Sequence, residues 1–186
     1  MRVTADFTAI PDEFAAAAPP ENLIGVTPVV SFPFYVDSID RSARYLHWQL
    51  TDPDSIPVCG FEWIHWAVAN VPIDALMFDF NDSRAVQIPP DFSRTLPAMI
   101  PEAVQGRTSA ASRFVGGTDP SVIIRYNGPT PPDKPHDYQL QVWATVSPLP
   151  GLRQGFWLNE LLHALHRCEG TVDHGGIVVS YGPKAD

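Results

Sequence analysis

The stretch Tyr126-Asn127-Gly128-Pro129-Thr130-Pro131-Pro132-Asp133-Lys134-Pro135-His136-Asp137-Tyr138 combines a stiff loop with polar side chains. Each proline fixes φ near about −65° and pushes the residue before it toward extended geometry. Such a loop has little conformational freedom left to lose when it binds a ligand. His136 and Tyr138 share strand parity, so their side chains face the same side of a strand. The stretch therefore predicts a rigid loop that delivers two polar side chains to one place.

A second segment has the same character. Asp52-Pro53-Asp54 is followed by Trp63-Ile64-His65-Trp66, again a proline turn next to apolar residues that carry a histidine. We predict that the two segments form two halves of one small polar pocket. A histidine near a carboxylate has its charged form favoured, so both of its ring N–H groups can donate to an oxyanion. A backbone N–H near Gly128 can also approach a ligand closely, because no Cβ intervenes.

Each part of this pocket has a simpler explanation when it is taken alone. Asp52-Pro53-Asp54 is typical of turns in which Asp accepts from nearby backbone N–H groups. His65 lies in an apolar segment, where most histidines are satisfied core residues. Two histidines and an aspartate are valid zinc ligands, but no metal-type spacing supports a metal site. No cofactor is predicted.

Composition limits the class of protein. The 186 residues are 45% hydrophobic and include 20 prolines, which predicts a single folded domain over 1–186, with a core at about 27–181 and many loops. A net charge of −9 argues against nucleic acid and against stable membrane association, since both need basic residues. Cys59 and Cys168 are far apart and are expected to be separate reduced thiols. No segment has the pattern of a membrane span or a signal peptide, which predicts a cytoplasmic location.

The hydrophobic pattern indicates a mainly β protein with a few helices. Residues 63–71 are continuously apolar, which predicts a central strand, and residues 137–147 alternate cleanly. Residues 156–166 place leucines at helical spacing. Residues 1–25 look peripheral, and residues 72–108 look irregular apart from a short helix at 101–105. Further strands are predicted at residues 27–34, 45–51, 122–126 and 176–181.

At this point the chain resembles the phosphatidylethanolamine-binding protein family, and more narrowly its bacterial Raf-kinase-inhibitor-like branch. Order and approximate spacing agree from about residue 27 to residue 181. The segments that carry the resemblance are Thr51-Asp52-Pro53-Asp54-Ser55, Trp63-Ile64-His65-Trp66 with Asn70-Val71-Pro72, and Tyr126-Asn127-Gly128-Pro129-Thr130-Pro131-Pro132 with His136 and Tyr138.

The resemblance implies an antiparallel β-sandwich with a few peripheral helices. It also implies a pocket for phosphate-like and carboxylate-like anions, including phospholipid head groups. In relatives, one wall of this pocket lies next to cis peptide bonds, which makes Ile56–Pro57 and the bond before Glu62 candidates. By the same resemblance, the pocket residues would be Asp52, His65, Gly128, His136 and Tyr138, with Trp63 and Pro131 as walls.

The chain departs from the family pattern near this pocket. Asp137 stands where many members have arginine, which removes a positive charge close to the site and weakens the expectation of tight phosphate binding. Ile56 is an extra residue that enlarges the Asp-Pro-Asp loop. We therefore expect affinity for small anions in the millimolar to micromolar range.

The function that these features predict is non-enzymatic binding of a small anion or phosphorylated head group. By resemblance, the protein would modulate a partner such as a kinase or a protease. The alternative is a hydrolase-type enzyme in which His65 acts as a general base beside Asp52. The chain has no nucleophile or nucleotide-binding motif that would support this alternative. Phe156 and Trp157 allow for a homodimer, if these large aromatic side chains stay exposed.

Overall fold

The computed structural model describes residues 1–79 and 84–182, which form a mainly β fold with antiparallel sheets. The helices are α1 (Ile56–Cys59), α2 (Phe92–Met99), α3 (Pro120–Ile123) and α4 (Leu158–Arg167). The strands are β1 (Arg2–Thr4), β2 (Leu23–Ile24), β3 (Thr27–Pro28), β4 (Phe34–Asp37), β5 (Tyr45–Asp52), β6 (Trp63–Pro72), β7 (Met77–Asp79), β8 (Ala85–Ile88), β9 (Val104–Gln105), β10 (His136–Thr145) and β11 (Thr171–Tyr181).

The strands divide between two larger sheets and one small pair. One sheet has the order β1-β4-β8-β7, the other has the order β11-β10-β5-β6-β9, and β2 pairs with β3. In the second sheet β5 lies between β10 and β6, and both pairings are antiparallel. The end of β5 therefore lies beside the beginnings of β6 and β10, which is where the candidate site forms.

The hydrophobic core joins residues from both larger sheets. Phe34 of β4 packs edge-on against Trp48 of β5, with ring centroids 5.6 Å apart. Trp48 also contacts Trp66 of β6 at 5.3 Å, and all three side chains are fully buried. Aromatic pairs in this geometry add to the stabilisation that comes from burial. The clean alternation of β10 places Leu140 and Val142 in this core.

Several predicted elements are confirmed. The strands expected at residues 45–51, 63–71 and 137–147 correspond to β5, β6 and β10, and the helix expected at 156–166 corresponds to α4. Strand β6 is interior to its sheet, as its continuous apolar run predicted. Helix α4 buries Leu161 and Leu165, and the Glu160 side chain accepts a hydrogen bond from the Trp157 N–H at 2.7 Å.

The N-terminal region is not peripheral, contrary to the sequence-based prediction. Strand β1 pairs with β4, and Val3, Ile10 and Phe14 are buried in the main core. The prediction missed this because these apolar residues are spaced irregularly and become core only by packing on distant segments. The strand expected at 27–34 is also wrong in extent, since β3 ends at Pro28 and β4 begins at Phe34.

Helix α2 replaces the short helix predicted at 101–105, where residues 104–105 instead form β9. Pro97 lies inside α2 and has no N–H to donate to the carbonyl of Ser93 four residues earlier. The Gln105 side chain donates to that carbonyl at 2.9 Å instead. A distant residue thus satisfies the group that the proline leaves free. Residues 80–83 of the predicted irregular stretch lie outside the described residues.

The strand predicted at 122–126 is wrong as well, because α3 occupies its first half. The Asp119 side chain caps this helix by accepting from the Ser121 N–H at 2.9 Å, and Pro120 stands at the first helical position. The peptide bonds predicted as cis candidates are trans, as are all others in the part of the chain that the structure describes. Ile56 and Pro57 instead begin α1. Within the described ranges, no helix is both long and apolar enough to cross a bilayer.

Candidate functional site

The site begins with Asp52, the last residue of β5, which uses its two carboxylate oxygens for different purposes. Oδ1 accepts from the Ser55 N–H at 3.1 Å and so closes the turn that follows the strand. Oδ2 accepts from Nδ1 of His136 at 2.7 Å. The sequence left two roles open for Asp52, closing a turn and forming the pocket. The Asp52 side chain has both roles.

His136 lies between two carboxylates. Its Nδ1 faces Asp52, and its Nε2 contacts Oδ1 of Asp133 at 2.9 Å. An ionised carboxylate only accepts hydrogen bonds, so both contacts are satisfied when both ring nitrogens carry hydrogen. Burial lowers the pKa of His136, but the hydrogen bonds to Asp52 and Asp133 outweigh burial and raise the pKa above its usual value. The surroundings of His136 therefore favour the charged form of its ring.

His65 has the opposite character. Its Nδ1 donates to the carbonyl of Asn127 at 2.7 Å, and its Nε2 lies 4.0 Å from Oδ2 of Asp52. Burial lowers the pKa of His65 to about 4, despite the favourable charge of Asp52. The expectation that a neighbouring carboxylate keeps this ring charged is therefore wrong, because desolvation is the larger effect. At neutral pH the buried Nε2 is an acceptor, and no described residue donates to it.

These side chains border a cavity of about 250 Å³ at the surface. Its wall includes Trp63 and Pro131, the two residues expected as walls, and Trp63 stacks on Phe61 with ring centroids 6.0 Å apart. Lysine and arginine are absent from the lining formed by the described residues. The complete lining is Asp52, Ser55, Val58, Cys59, Trp63, His65, Thr130, Pro131, Pro132 and His136.

Tyr138 lies next to the cavity without lining it. Its ring packs edge-on against His65 at 5.1 Å, and the side chain is fully buried. Burial raises the pKa of Tyr138 well above its usual value, so the phenol stays neutral. Its hydroxyl has no hydrogen-bond partner within the ranges that the structure describes. The phenol therefore does not face the cavity lining, although the sequence-based prediction included Tyr138 among the pocket residues.

Gly128 is placed differently from the expectation. Its N–H, predicted to approach a ligand, donates to the carbonyl of Pro28 at 2.8 Å. A Cβ at this position would collide with the Phe14 carbonyl oxygen and would lie 2.6 Å from Cβ of Pro28. Glycine is thus required here because the loop packs against the N-terminal region. Gly128 borders a neighbouring hollow of about 370 Å³, which shares Trp63 and Thr130 with the cavity.

The loop that carries Gly128 is anchored at its start. The Tyr126 hydroxyl donates to the carbonyl of Phe14 at 2.9 Å, and the Tyr126 N–H donates to Oγ of Ser93 at 2.8 Å. The Asn127 N–H donates to the carbonyl of His65 at 2.9 Å. These bonds fix the loop against β6 and position the residues that follow it.

Among the residues of the site that escaped the sequence-based prediction, Asp133 and Ser55 make hydrogen bonds to its predicted members. Asp133 contacts His136 from the solvent side, and the Ser55 hydroxyl accepts from the Trp63 N–H at 2.8 Å. Asp133 precedes His136 by three residues in a proline-rich loop, a spacing that allows a local contact. Ser55 follows the Asp-Pro-Asp turn, and Ser is one of the residue types that dominate turns.

The structure offers little for a metal. No group of three or more histidine, cysteine, aspartate or glutamate side chains with suitable geometry occurs among residues 1–79 and 84–182. His163 and His166 are both exposed on α4. Cys59 and Cys168 are not bonded to each other.

Comparison with known proteins identifies a matching family and two relatives with similar sequences. A family model described as phosphatidylethanolamine-binding protein matches residues 2–172. The uncharacterised protein YxkA of Bacillus subtilis is 42% identical over 134 residues, which span 72% of this chain and 71% of YxkA. The UPF0098 protein YbcL of Escherichia coli is 34% identical over 94 residues, which span 50% of this chain and 40% of YbcL.

Two solved structures have a similar fold. The crystal structure of E. coli YbcL, described as a new member of the mammalian PEBP family, superposes with a TM-score of 0.69 at 21% identity and covers 98% of both chains. CT736 of Chlamydia trachomatis, described as a candidate homologue of phosphatidylethanolamine-binding protein, has a TM-score of 0.69 at 20% identity and covers 98% of this chain and 97% of its own. At these identities the likeness concerns the fold alone.

Proposed function

The chain belongs to the phosphatidylethanolamine-binding protein family, and from that premise we propose that the cavity beside His136 binds a small anion or the anionic head group of a larger ligand. In this proposal the protein is a binding protein and not an enzyme. The observation that carries it is the contact by which Asp52 holds the His136 ring at the cavity wall, where the carboxylates of Asp52 and Asp133 favour the charged form of the ring.

The strength of binding follows from the charges around the cavity. His136 is the one described lining residue whose cationic form is favoured by its neighbours, and the whole chain carries a net charge of −9. A charge-assisted hydrogen bond contributes on the order of 1.5–3 kcal/mol, and desolvation of the anion offsets part of this. Affinity in the millimolar to micromolar range is therefore expected.

His65 adds a requirement on the ligand. His65 lines the cavity, and its buried, unprotonated Nε2 can only accept hydrogen bonds, so it disfavours a bare anion nearby. A ligand that carries a hydroxyl or amine hydrogen next to its anionic group would satisfy both rings, with His136 donating and His65 accepting. The hydroxyl of a phosphate monoanion and the ammonium of phosphoethanolamine both meet this description.

The hydrolase alternative has less support. A general base works best when its pKa lies near the operating pH, and burial lowers the pKa of His65 to about 4. The Ser55 hydroxyl borders the cavity, but it lies 2.6 Å from the carbonyl of Asp52 and accepts from the Trp63 N–H. It is therefore engaged as a turn residue and is not activated by either histidine.

Other expectations go with the proposal. We infer a β-sandwich from the packing of Phe34 against Trp48, which joins the two larger sheets. A kinase or protease partner and a cytoplasmic location stay predictions. For a homodimer, Trp157 supplies exposed aromatic surface, whereas Phe156 is buried.

The experiment is a calorimetric titration with acetate, inorganic phosphate and phosphoethanolamine. We compare the wild type with His136→Ala, and we use His166→Ala as a matched control because His166 is exposed on α4. Affinity is expected to fall at least tenfold in His136→Ala and to stay unchanged in the control. Equal binding by wild type and His136→Ala would refute the proposed site. Turnover of phosphoesters or esters that is lost in Asp52→Asn would favour the hydrolase alternative instead.

A further inference from the structure

The outer face of His136 is already occupied by a carboxylate of the protein itself. Oδ1 of Asp133 lies 2.9 Å from Nε2 of His136, and the Asp133 side chain is 48% exposed whereas that of His136 is 1% exposed. Asp133 therefore approaches the ring from solvent, from the loop that also carries Pro131 and Pro132 on the cavity wall.

An anion that enters the cavity needs the hydrogen-bond donor that Asp133 now holds. The other ring N–H of His136 is committed to Asp52, and the N–H of His65 is committed to the Asn127 carbonyl. The backbone N–H of Gly128 is bonded to Pro28. Nε2–H of His136 is thus the charged donor for which a ligand and Asp133 compete.

We propose that Asp133 is an internal competitor that determines which anions the cavity accepts. The inference rests on the proposed function. A ligand binds His136 only after the Asp133 carboxylate has moved aside, so the apparent affinity is reduced by the fraction of molecules in which Asp133 occupies the donor. The displaced carboxylate stays on the same loop and repels the ligand, and it repels a dianion more strongly than a monoanion. Singly charged ligands are therefore favoured over doubly charged ones.

The contact itself shows that a carboxylate fits this donor. The group that reaches Nε2 of His136 in the structure is a carboxylate oxygen at ordinary hydrogen-bond distance. The hydrogen bond to His136 lowers the pKa of Asp133, so this oxygen is ionised at neutral pH. An acetate oxygen at the same position would make the same hydrogen bond with the same charge.

The test measures acetate and sulfate affinity at about pH 6, where His136 is protonated, acetate is a monoanion and sulfate is a dianion. Asp133→Ala is expected to bind acetate about three- to tenfold more tightly than wild type, because the competing contact is half exposed and of moderate strength. The gain for sulfate is expected to be larger than the gain for acetate. Asp133→Asn keeps an amide oxygen that accepts more weakly, so its gain should be intermediate.

Asp137→Ala is the matched control. It removes the same charge from the same segment, and Asp137 is exposed without a side-chain hydrogen bond to any described residue. The increase in acetate and sulfate affinity in Asp137→Ala is expected to stay below about twofold, because this substitution changes only the long-range electrostatic field at the cavity. In the wild type, acetate should also shift the backbone amide resonance of Asp133 as the carboxylate is released.

The outcomes separate this inference from the proposed function. Equal gains in Asp133→Ala and Asp137→Ala would overturn it, because the general field would then explain the effect. Unchanged or weaker binding in Asp133→Ala, with wild-type binding that still depends on His136, would overturn it too and would make Asp133 a residue that positions the ring. If no variant and no wild-type protein binds either anion, the proposed function fails and the inference fails with it.

Discussion

Nδ1 of His136 donates a hydrogen bond to Oδ2 of Asp52 at 2.7 Å, although the two residues are 84 positions apart. The contact exists because β5 ends close to where β10 begins: Thr51 pairs with Gln139, and this antiparallel pairing brings the next residue, Asp52, close to His136 at the start of β10. It links the Asp-Pro-Asp turn to the proline-rich loop, and it controls the charge of the ring that the cavity depends on.

Replacing Asp52 with Asn should lower the pKa of His136. The substitution removes one of the two carboxylates whose hydrogen bonds and charge raise this pKa. An NMR titration of the His136 ring measures the change. The exposed His174, on the neighbouring strand β11, serves as an internal control. A His136 titration curve that does not move would contradict the assignment of Asp52 as the main partner.

The same pair makes stability depend on pH above neutrality. Because the native pKa of His136 is raised above its unfolded value near 6.5, its contribution is fully present below about pH 6.5 and is lost as pH rises through the native pKa. Urea unfolding between about pH 6 and pH 9 should therefore show a decline that is weaker in His136→Gln. Parallel pH profiles for the two proteins would contradict this.

Two buried histidines make the protein sensitive to acid. Burial lowers the pKa of His47 to about 3 and that of His65 to about 4, whereas an unfolded histidine takes up a proton near pH 6.5. The unfolded state binds more protons, so the free energy of unfolding falls as pH drops from about 6.5, by up to about 1.4 kcal/mol per pH unit for each histidine. Urea unfolding between about pH 4.5 and 6.5 measures this slope.

A substitution at His47 measures the share of this histidine in the acid sensitivity. Its Nδ1 accepts from the Asn70 N–H at 3.0 Å and its Nε2 donates to Oγ1 of Thr145 at 2.9 Å, so it is a structural residue of β5. His47→Gln should remove about half of the slope, whatever its effect on stability at neutral pH. His166→Gln, in an exposed position, should leave the slope unchanged, and a loss of slope there would point to another cause.

Gly128→Ala should destabilise the protein by about 1–3 kcal/mol or more, because the new methyl group meets the backbone of Phe14 and Pro28 without room to relax. Gly170→Ala is the matched control, since a Cβ there makes only an ordinary contact, 3.5 Å from Cβ of Val146. Chemical unfolding measures both. If the two variants were equally stable, the close approach at Gly128 would not be the reason for glycine at this position.

Gln105→Ala should cost about 2–4 kcal/mol, because one buried amide satisfies several groups. Its Oε1 accepts from Nε1 of Trp66 at 2.9 Å and from Oγ of Ser93 at 2.8 Å, and its Nε2 donates to the Ser93 carbonyl that Pro97 leaves free. Gln139→Ala changes an exposed position of β10 and should cost less than about 0.5 kcal/mol. Similar losses in the two variants would show that the buried network contributes little.

The amino-acid sequence determined the parts of this protein that depend on local pattern. The periodicity of β5, β6, β10 and α4 was sufficient to place them, because each buries one face or lies wholly in the core. The same pattern failed at α3, where Asp119 and Pro120 start a helix, and at α2, where Pro97 is tolerated only because Gln105 reaches the Ser93 carbonyl. Those outcomes depend on capping and on distant contacts.

For the site, the sequence named Asp52, His65 and His136 as neighbours, and the structure brings them to one cavity. Only the tertiary structure decided their chemistry. Burial keeps His65 neutral while two carboxylates favour the charged form of His136, although both histidines lie near the start of a strand. A protonation state is set by desolvation and by groups that meet in space, and neither can be derived from the order of residues along the chain.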